Sequence, residues 1–145
     1  MLLTSGLWRS FRTNECNLTP EQWGILCKLW ERDGIHQAEL SKQVGKDEPT
    51  LTRILGLMNR NGFVERKKVP EDKRLSKIYV TEEGRNIKKK AVPIVKAFLL
   101  RAVEGLSEEE IEAFRKTLEQ IAKNLECNAS AKPRKRVGVN RSRKG

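Results

Sequence analysis

The fold of this chain is decided by residues 47–66, which read DEPTLTRILGLMNRNGFVER. Asp47 is a favourable helix N-cap, and the pair Asn61-Gly62 is typical of a helix end. Between them, apolar residues recur at the spacing of one helix face: Leu51, Ile54, Leu55 and Met58. This periodicity predicts a helix over 48–60 with one buried side.

The opposite face of this helix is basic and carries no carboxylate. It holds Pro49, Arg53, Gly56 and Arg60, with Thr50, Thr52 and Asn59 on its flanks. Arginine grips guanine edges and threonine contacts thymine methyl groups or phosphates, so this face suits a groove lined by phosphates. Gly56 costs roughly 1 kcal/mol relative to alanine, which fits the close approach of another backbone. The alternative interpretation is an ordinary solvated face.

A helix upstream is marked by Thr19-Pro20-Glu21-Gln22, in which Thr19 caps and Gln22 closes a capping box. It is predicted over 20–32 and is stopped by Asp33-Gly34. Its apolar stripe consists of Trp23, Leu26, Cys27 and Trp30.

A second short helix is predicted over 37–44, with His36 acting as a local cap and Gly45 as the C-cap. Glu39 stands where a capping box would place it. The residues predicted to point inward are Ala38, Leu40 and Val44. Three helices of this length joined by tight turns resemble a helix-turn-helix unit.

Two strand-like runs follow at 63–68 and 77–80, separated by a polar loop. They predict a hairpin with a basic tip that carries Lys73, Arg74 and Lys77. Such an extension can place an arginine into a minor groove, where the negative potential is strong. The alternative is a solvated turn.

Two longer helices complete the chain. Thr81 caps a helix that runs to about residue 103, and Pro93 inside it is expected to cause a kink. Ser107 and Glu110 form a capping box for the last helix. That helix carries an apolar seam of Ile111, Phe114, Leu118, Ile121 and Leu125. Such a seam needs a partner helix, within the chain or from a second copy.

The composition of the 145 residues limits the class of protein. Lys and Arg number 30 against 19 Asp and Glu, which gives a net charge of +11, and charged residues make up 34%. Residues 127–145 hold seven basic residues and no acidic one, which predicts a disordered arm that meets polyanions. No apolar run approaches a membrane span and residues 1–8 lack the features of a secretion signal, so we expect a cytoplasmic protein.

Catalytic and metal-binding chemistry are not expected. His36 is the sole histidine and has no nucleophile at readable spacing. The acidic run 108–110 stands at a helix start, where it complements the helix dipole. The three cysteines show no metal or disulfide spacing. The sequence therefore predicts no enzymatic activity, no cofactor and no metal.

Taken together, the motifs from about residue 18 to 125 resemble the MarR family of winged-helix transcription regulators. They are Thr19-Pro20-Glu21-Gln22-Trp23, Gln37-Ala38-Glu39-Leu40, Thr50-Leu51-Thr52-Arg53, Arg60-Asn61-Gly62-Phe63-Val64-Glu65-Arg66, Asp72-Lys73-Arg74 and Val80-Thr81-Glu82-Glu83-Gly84. The resemblance implies a mainly α (α+β) fold, with a winged helix-turn-helix lobe at 19–81 and dimerisation helices at 1–18 and 82–126. It also implies a recognition helix at 48–60 in the major groove and a minor-groove wing led by Arg74, which Asp72 steadies.

We therefore expect a homodimeric, sequence-specific regulator of double-stranded DNA, a repressor that recognises a pseudo-palindromic operator. The residues assigned to DNA are Gln37, Lys46, Pro49, Thr50, Thr52, Arg53, Gly56, Arg60, Lys73, Arg74 and Lys77. Similar proteins bind small effectors between the dimer helices and the DNA-binding lobe. The aromatic residues that could line such a space, or serve in core packing, are Trp8, Phe11, Trp30 and Phe98.

Three alternatives stay open at this point. An RNA-binding or ribosome-associated module could use the same winged helix and basic tail, although the aromatics for base stacking are few. A protein-interaction adaptor would show no salt-sensitive binding of nucleic acid. Some similar regulators sense peroxide through a thiol in the first helix, but Cys16 lies too close to the Leu18-Thr19-Pro20 segment to match, Cys127 begins the tail, and Cys27 fits a core position.

Overall fold

The computed structural model describes the backbone of residues 2–129 and the side chains of residues 3–125. The chain divides into two compact units, residues 1–102 and 103–145. The first unit holds the N-terminal helix and the whole long helix at 82–102 together with the lobe at 19–81. The prediction of a disordered arm at 127–145 lies outside the described residues except at 127–129, where the backbone is helical.

The first unit combines helices with a small antiparallel sheet, and the described part of the second, residues 103–129, contains one helix. The elements of the first unit are α1 (Leu2–Thr13), α2 (Pro20–Glu31), β1 (Ile35–His36), α3 (Gln37–Val44), α4 (Glu48–Arg60), β2 (Val64–Lys68), β3 (Ser76–Val80) and α5 (Glu82–Ala102). The second unit holds α6 (Glu108–Ala129). The predicted fold class, a mainly helical winged helix, is confirmed.

The predicted helix starts are formed as the sequence indicates. Thr19 Oγ1 accepts from Gln22 N, and Gln22 Oε1 accepts from Thr19 N. Asp47 Oδ1 accepts from Thr50 N at 2.8 Å. Ser107 and Glu110 make the same reciprocal pair at the start of α6. These bonds satisfy amide groups that have no partner inside their own helix.

The start of α3 differs from the prediction. His36 occupies the cap position, but its side chain makes no capping hydrogen bond. Glu39 accepts instead from the side chains of Arg32 and Gln43. The capping role predicted for His36 is therefore wrong, and α3 is held by contacts of its other residues.

The inward face of α3 also differs in one position. Leu40 is buried and Val44 half-buried as predicted, but Ala38 is exposed. Gln37 and Ser41 are buried instead. A helix of eight residues has too few positions for apolar periodicity to define its buried face. The burial of Gln37 and Ser41 could therefore not be predicted from the sequence.

The sheet has the order β1-β3-β2, and both pairings are antiparallel. In the hairpin, Val64 faces Val80 and Lys68 faces Ser76. The two strands span 64–68 and 76–80, and each differs from its predicted range by one residue at its start. The sequence did not predict β1, because two residues cannot show an alternating pattern; the strand exists through its pairing with β3, where Ile35 faces Ile78.

The core lies between the helices of the first unit and one side of the sheet. Its fully buried large side chains are Phe11, Ile25, Leu26, Leu29, Ile35, Leu40, Leu51, Met58 and Ile78. They come from α1, α2, β1, α3, α4 and β3, so each of these elements contributes to one shared core. Burial of such apolar area is the main favourable term that holds the elements together.

The first turn of α5 is packed tightly against the turn between α4 and β2. Thr81 N donates to Phe63 O, and the Trp30 indole Nε1 donates to Gly84 O at 2.9 Å. A Cβ atom at Gly84 would lie 2.1 Å from Phe63 O. Position 84 therefore accepts only a residue without a side chain unless the backbone moves. α5 continues from there through Pro93 to Ala102.

We expect Gly84→Ala to destabilise the fold by about 1–3 kcal/mol, because the new methyl group overlaps a backbone carbonyl that cannot rotate away. Chemical denaturation followed by circular dichroism measures the change. Gly24→Ala is the matched control, since a Cβ at Gly24 meets nothing within 4 Å. That control is expected to gain roughly 0.5–1 kcal/mol from helix propensity. Equal stability of the two variants would contradict the packing described.

Candidate nucleic-acid interface

The helix α4 separates cleanly into a buried and an exposed side. Its buried residues are Leu51, Ile54, Leu55 and Met58, as the sequence predicts. The opposite side is open: Pro49, Thr52, Arg53, Gly56, Asn59 and Arg60 are exposed, and Thr50 is half-buried. A Cβ at Gly56 would meet nothing within 4 Å. The described chain therefore leaves the space in front of this glycine free for another molecule.

The N-terminus of α4 is fixed by Asp47. The hydrogen bond from the Thr50 amide lowers the pKa of the Asp47 carboxyl, so the carboxylate stays charged at neutral pH. Ser41 Oγ donates to Lys46 O and anchors the turn between α3 and α4, which leaves Lys46 itself exposed. The position of α4 relative to α3 is thus set by side-chain bonds at the turn.

The sequence predicted Gln37 among the DNA-contacting residues, whereas the structure places it beneath the surface. Its side chain is buried, and its Nε2 donates to Thr52 Oγ1 across the gap between α3 and α4 at 2.8 Å. It is the exposed Thr52, not Gln37, that is accessible from outside. Gln37 contributes to the surface through the residue that it holds.

The wing is ordered by Asp72. Its Oδ1 accepts from Arg74 N at 3.0 Å and from Arg74 Nε at 3.3 Å. The Arg74 side chain nevertheless remains 91% exposed. Lys73 is also exposed and Lys77 is half-buried. Asp72 thus fixes the backbone and the base of the arginine side chain while the guanidinium group extends into solvent.

A cleft of about 460 Å³ lies between α3, the start of α4 and the wing. Its lining includes the cationic side chains of Lys42, Arg66 and Arg74. Neither Lys42 nor Arg66 was predicted to belong to the site. They become neighbours because the hairpin folds beside α3, and a local sequence pattern cannot predict that contact.

The four aromatic effector candidates fall into two groups. Phe11 is fully buried, and Trp30 is half-buried with its indole bonded to Gly84 O. Both pack with Trp23, with ring centroids 6.2 and 5.4 Å away. Trp8 and Phe98 line two different cavities, of about 380 and 350 Å³. The four residues therefore do not surround a common space.

The described cysteines are poorly suited to thiol chemistry. Burial raises the pKa of Cys16, which is 3% exposed, and of Cys27. A raised pKa keeps the thiol protonated at neutral pH, whereas the thiolate is the reactive form. The Cys127 side chain lies outside the described residues.

The second unit presents an apolar seam along α6. Phe114, Leu118, Ile121 and Leu125 are between 49% and 66% exposed, and Ile111 is half-buried. On the rest of the helix, Arg115 pairs with Glu112 and Glu119. Exposed apolar patches of this kind are typical of surfaces that associate with another chain.

Comparisons with known proteins agree on one family. The model described as MarR family matches residues 18–76. The organic hydroperoxide resistance transcriptional regulator of Bacillus subtilis (strain 168) is 32% identical over 112 residues, 77% of this chain and 75% of that protein. The transcriptional regulator HosA of Escherichia coli O111:H- is 30% identical over 105 residues, 72% of this chain and 78% of that protein.

Solved structures show the same fold. The transcriptional regulator SlyA superimposes with a TM-score of 0.75 at 29% identity and 86% coverage of both chains. The transcriptional repressor CouR, solved bound to a 23-mer DNA duplex, gives 0.76 at 24% identity, over 83% of this chain and 84% of that one. No helix within the described residues is long and apolar enough to cross a membrane.

We expect Asp47→Ala to lower the melting temperature at pH 7, because α4 loses its N-cap. The pKa of this carboxyl is lowered in the fold, so its contribution is present above the ordinary value of 3.8 and is lost as the pH falls further. Thermal melts by circular dichroism at pH 7, 5 and 3 therefore show a gap to wild type that narrows in acid. Asp47→Asn, which keeps a neutral capping oxygen, is the control. A gap that stays constant down to pH 3 would contradict the ionised cap.

Proposed function

The chain belongs to the MarR family of transcriptional regulators, and we propose that it is a homodimeric repressor that binds double-stranded DNA at an inverted repeat. The proposal rests on the exposed face of α4 around Arg53 and Gly56, which carries no carboxylate, and on the nearness of α4 to Arg74. Glu48 at the start of α4 and Arg74 on the wing line the same cleft, so the helix and the wing are neighbours. This pairing suits a duplex, in which a helix enters the major groove and an adjacent arginine reaches the minor groove.

The exposed residues divide into readers of bases and holders of the backbone. Arg53 and Arg60 are exposed on α4 and are the candidates for guanine edges. Lys46 precedes α4, and Lys73 and Lys77 lie in the hairpin that carries Arg74. We assign these three lysines to phosphates, which position a protein without reading sequence. The remaining assigned residues, which allow close contact of the helix with the groove, are Pro49, Thr50, Thr52 and Gly56.

The names of the relatives support a regulator that acts by binding rather than by catalysis. CouR was solved with a DNA duplex, and a variant of MarR from E. coli was solved with operator DNA. The relatives named above are transcriptional regulators, and IacR of Pseudomonas putida, 26% identical, is a transcriptional repressor. For this chain, repression follows from occupancy of the operator, with no enzymatic step.

We assign dimerisation to the apolar seam of α6, together with α1 and α5. The seam exposes Phe114, Leu118, Ile121 and Leu125, and a second copy of the same helix presents the same self-complementary surface. Two copies of α4 related by a two-fold axis would meet successive major grooves about 34–36 Å apart. This geometry requires an operator whose half-sites are one helical turn apart.

Release of the repressor is assigned to a small molecule. Phe11 and Trp30 are committed to packing, so Trp8 and Phe98 are the aromatic residues that we retain as effector contacts. The cavities that they line are of the size of small-ligand pockets. The relative from B. subtilis is named for organic hydroperoxide resistance. In this chain, the buried, protonated thiol of Cys16 argues against a peroxide as the signal at that residue.

We expect Arg53→Ala to weaken binding to a selected operator by about 1–3 kcal/mol, because it removes a base contact. Arg74→Ala is expected to weaken binding and to relax the preference for flanks with a narrow minor groove. Fluorescence anisotropy with operator duplexes chosen from random sequence measures both effects.

Arg115→Ala is the matched control for these variants, since it removes the same charge from α6, where Arg115 is paired with Glu112 and Glu119. It is expected to bind as wild type does. The same assay with duplex RNA as competitor separates a DNA reader from an RNA-binding module. Wild-type affinity of both Arg53→Ala and Arg74→Ala would show that the assigned surface is not the binding surface.

We expect Leu118→Glu to convert the dimer to monomers, because it places a charge in the centre of the apolar seam. Analytical ultracentrifugation at micromolar concentration measures the change. Gln120→Glu adds the same charge two residues away, outside the seam, and is expected to remain dimeric. A dimer that persists in Leu118→Glu would move the dimer interface away from α6.

A further inference from the structure

A partly buried side-chain hydrogen bond connects α3 and α4, the two helices of the helix-turn-helix. Gln37 is the first residue of α3, and its Nε2 donates to Thr52 Oγ1 on α4 at 2.8 Å. We infer that Gln37 fixes the Thr52 hydroxyl as a hydrogen-bond donor, so that Thr52 selects acceptor atoms in DNA. This inference rests on the proposed function, and it makes Gln37 a positioning residue for what α4 reads.

The Thr52 hydroxyl has a limited capacity for hydrogen bonds. A threonine hydroxyl has one proton to donate and two lone pairs to accept with. The amide of Gln37 occupies one lone pair and leaves the proton unused. In a helix, threonine commonly spends that proton on the carbonyl four residues earlier, as Thr117 does with Ala113 O at 2.8 Å. Among the described residues, no acceptor is recorded for the Thr52 proton, and Thr52 is exposed.

Burial makes this arrangement specific. Gln37 is only 9% exposed, so water does not compete freely for its bond to Thr52. Its other amide atom, Oε1, is buried with no partner among the described residues. A buried acceptor without a partner lowers stability. The bond to Thr52 is therefore the one side-chain hydrogen bond that Gln37 makes among the described residues.

The donor role of the Thr52 hydroxyl determines which atoms of DNA it can bond. A hydroxyl fixed as donor bonds to acceptors, which in the major groove are purine N7, guanine O6 and thymine O4. Phosphate oxygens have the same chemistry. The amino groups of adenine and cytosine are donors and are disfavoured. The shared partner is thus an acceptor atom of DNA, and the experiment distinguishes a base edge from a phosphate.

The test is a double-mutant cycle of Gln37→Glu and Thr52→Val on the full chain. A glutamate side chain of the same length accepts rather than donates, so the Thr52 hydroxyl donates its hydrogen bond to it instead of to DNA. Valine keeps the shape of threonine without the hydroxyl. Each single variant is expected to weaken binding to the selected operator by roughly 2- to 10-fold. Gln37→Glu made in the Thr52→Val background reports the effect of the new charge alone, and the expected effect there is smaller.

Two further variants keep the result interpretable. Thr52→Ser retains the hydroxyl and is expected to bind within about 2-fold of wild type. Gln37→Met has a similar length, lacks the amide and adds no charge, so it repeats the cycle if Gln37→Glu melts below the assay temperature. Circular dichroism melts identify that case.

Selection of bound sequences locates the acceptor atom. Loss of preference at one half-site position in both Gln37→Glu and Thr52→Val assigns a base edge. A 7-deazapurine at that position then weakens wild type only if the acceptor is purine N7, and it leaves binding unchanged if the acceptor is guanine O6. A uniform loss on all sequences assigns a phosphate. Independent, fully multiplicative effects of the two substitutions would overturn the inference. If Arg53→Ala still weakens binding in that case, the proposed function stands; if it does not, both fail.

Discussion

The arrangement of the first unit depends on the close approach of the α5 backbone to the turn that follows α4. The carbonyl oxygen of Phe63 occupies the space of a side chain at position 84. This contact brings the Trp30 indole within hydrogen-bond distance of Gly84 O. Asp33 adds a second connection, because its carboxylate accepts from Val80 N and from Arg85 Nη2, at 2.9 and 2.8 Å. The turn that follows α4 is therefore held against the first turn of α5, and this contact fixes α4 relative to that long helix.

In the proposed DNA-binding surface, neighbouring side chains hold the DNA-contacting residues in place while the groups that would meet DNA stay exposed. Asp72 fixes the backbone of Arg74 while the guanidinium group stays in solvent. In the same way, the Gln37 amide donates a hydrogen bond to the Thr52 hydroxyl while Thr52 stays exposed. Preorganisation of this kind reduces the entropy lost on binding, because fewer bonds must be ordered when DNA arrives. The anchoring residues are as much a part of the site as the side chains that contact the groove.

Much of this could be predicted from the sequence, because the decisive signals are local. Capping boxes, the apolar face of α4 and the polar loop of the wing each depend on neighbours within a few residues. The roles of Gln37 and Ala38 could not, since burial in α3 depends on how α4 packs against it. The strand β1 exists only through its pairing with Ile78. The position of Arg66 beside α3 likewise results from the folding of distant segments.

The bonds of Asp33 have a consequence for how such a protein can change over evolutionary time. Its carboxylate joins the end of β3 to α5 and touches none of the residues assigned to DNA. The orientation of the lobe at 19–81 is thus set by other residues than those assigned to DNA. Mutations on the outer side of α4 can give a descendant a new operator while the tilt of the lobe is inherited unchanged. A change of operator is therefore compatible with an unchanged set of Asp33 contacts.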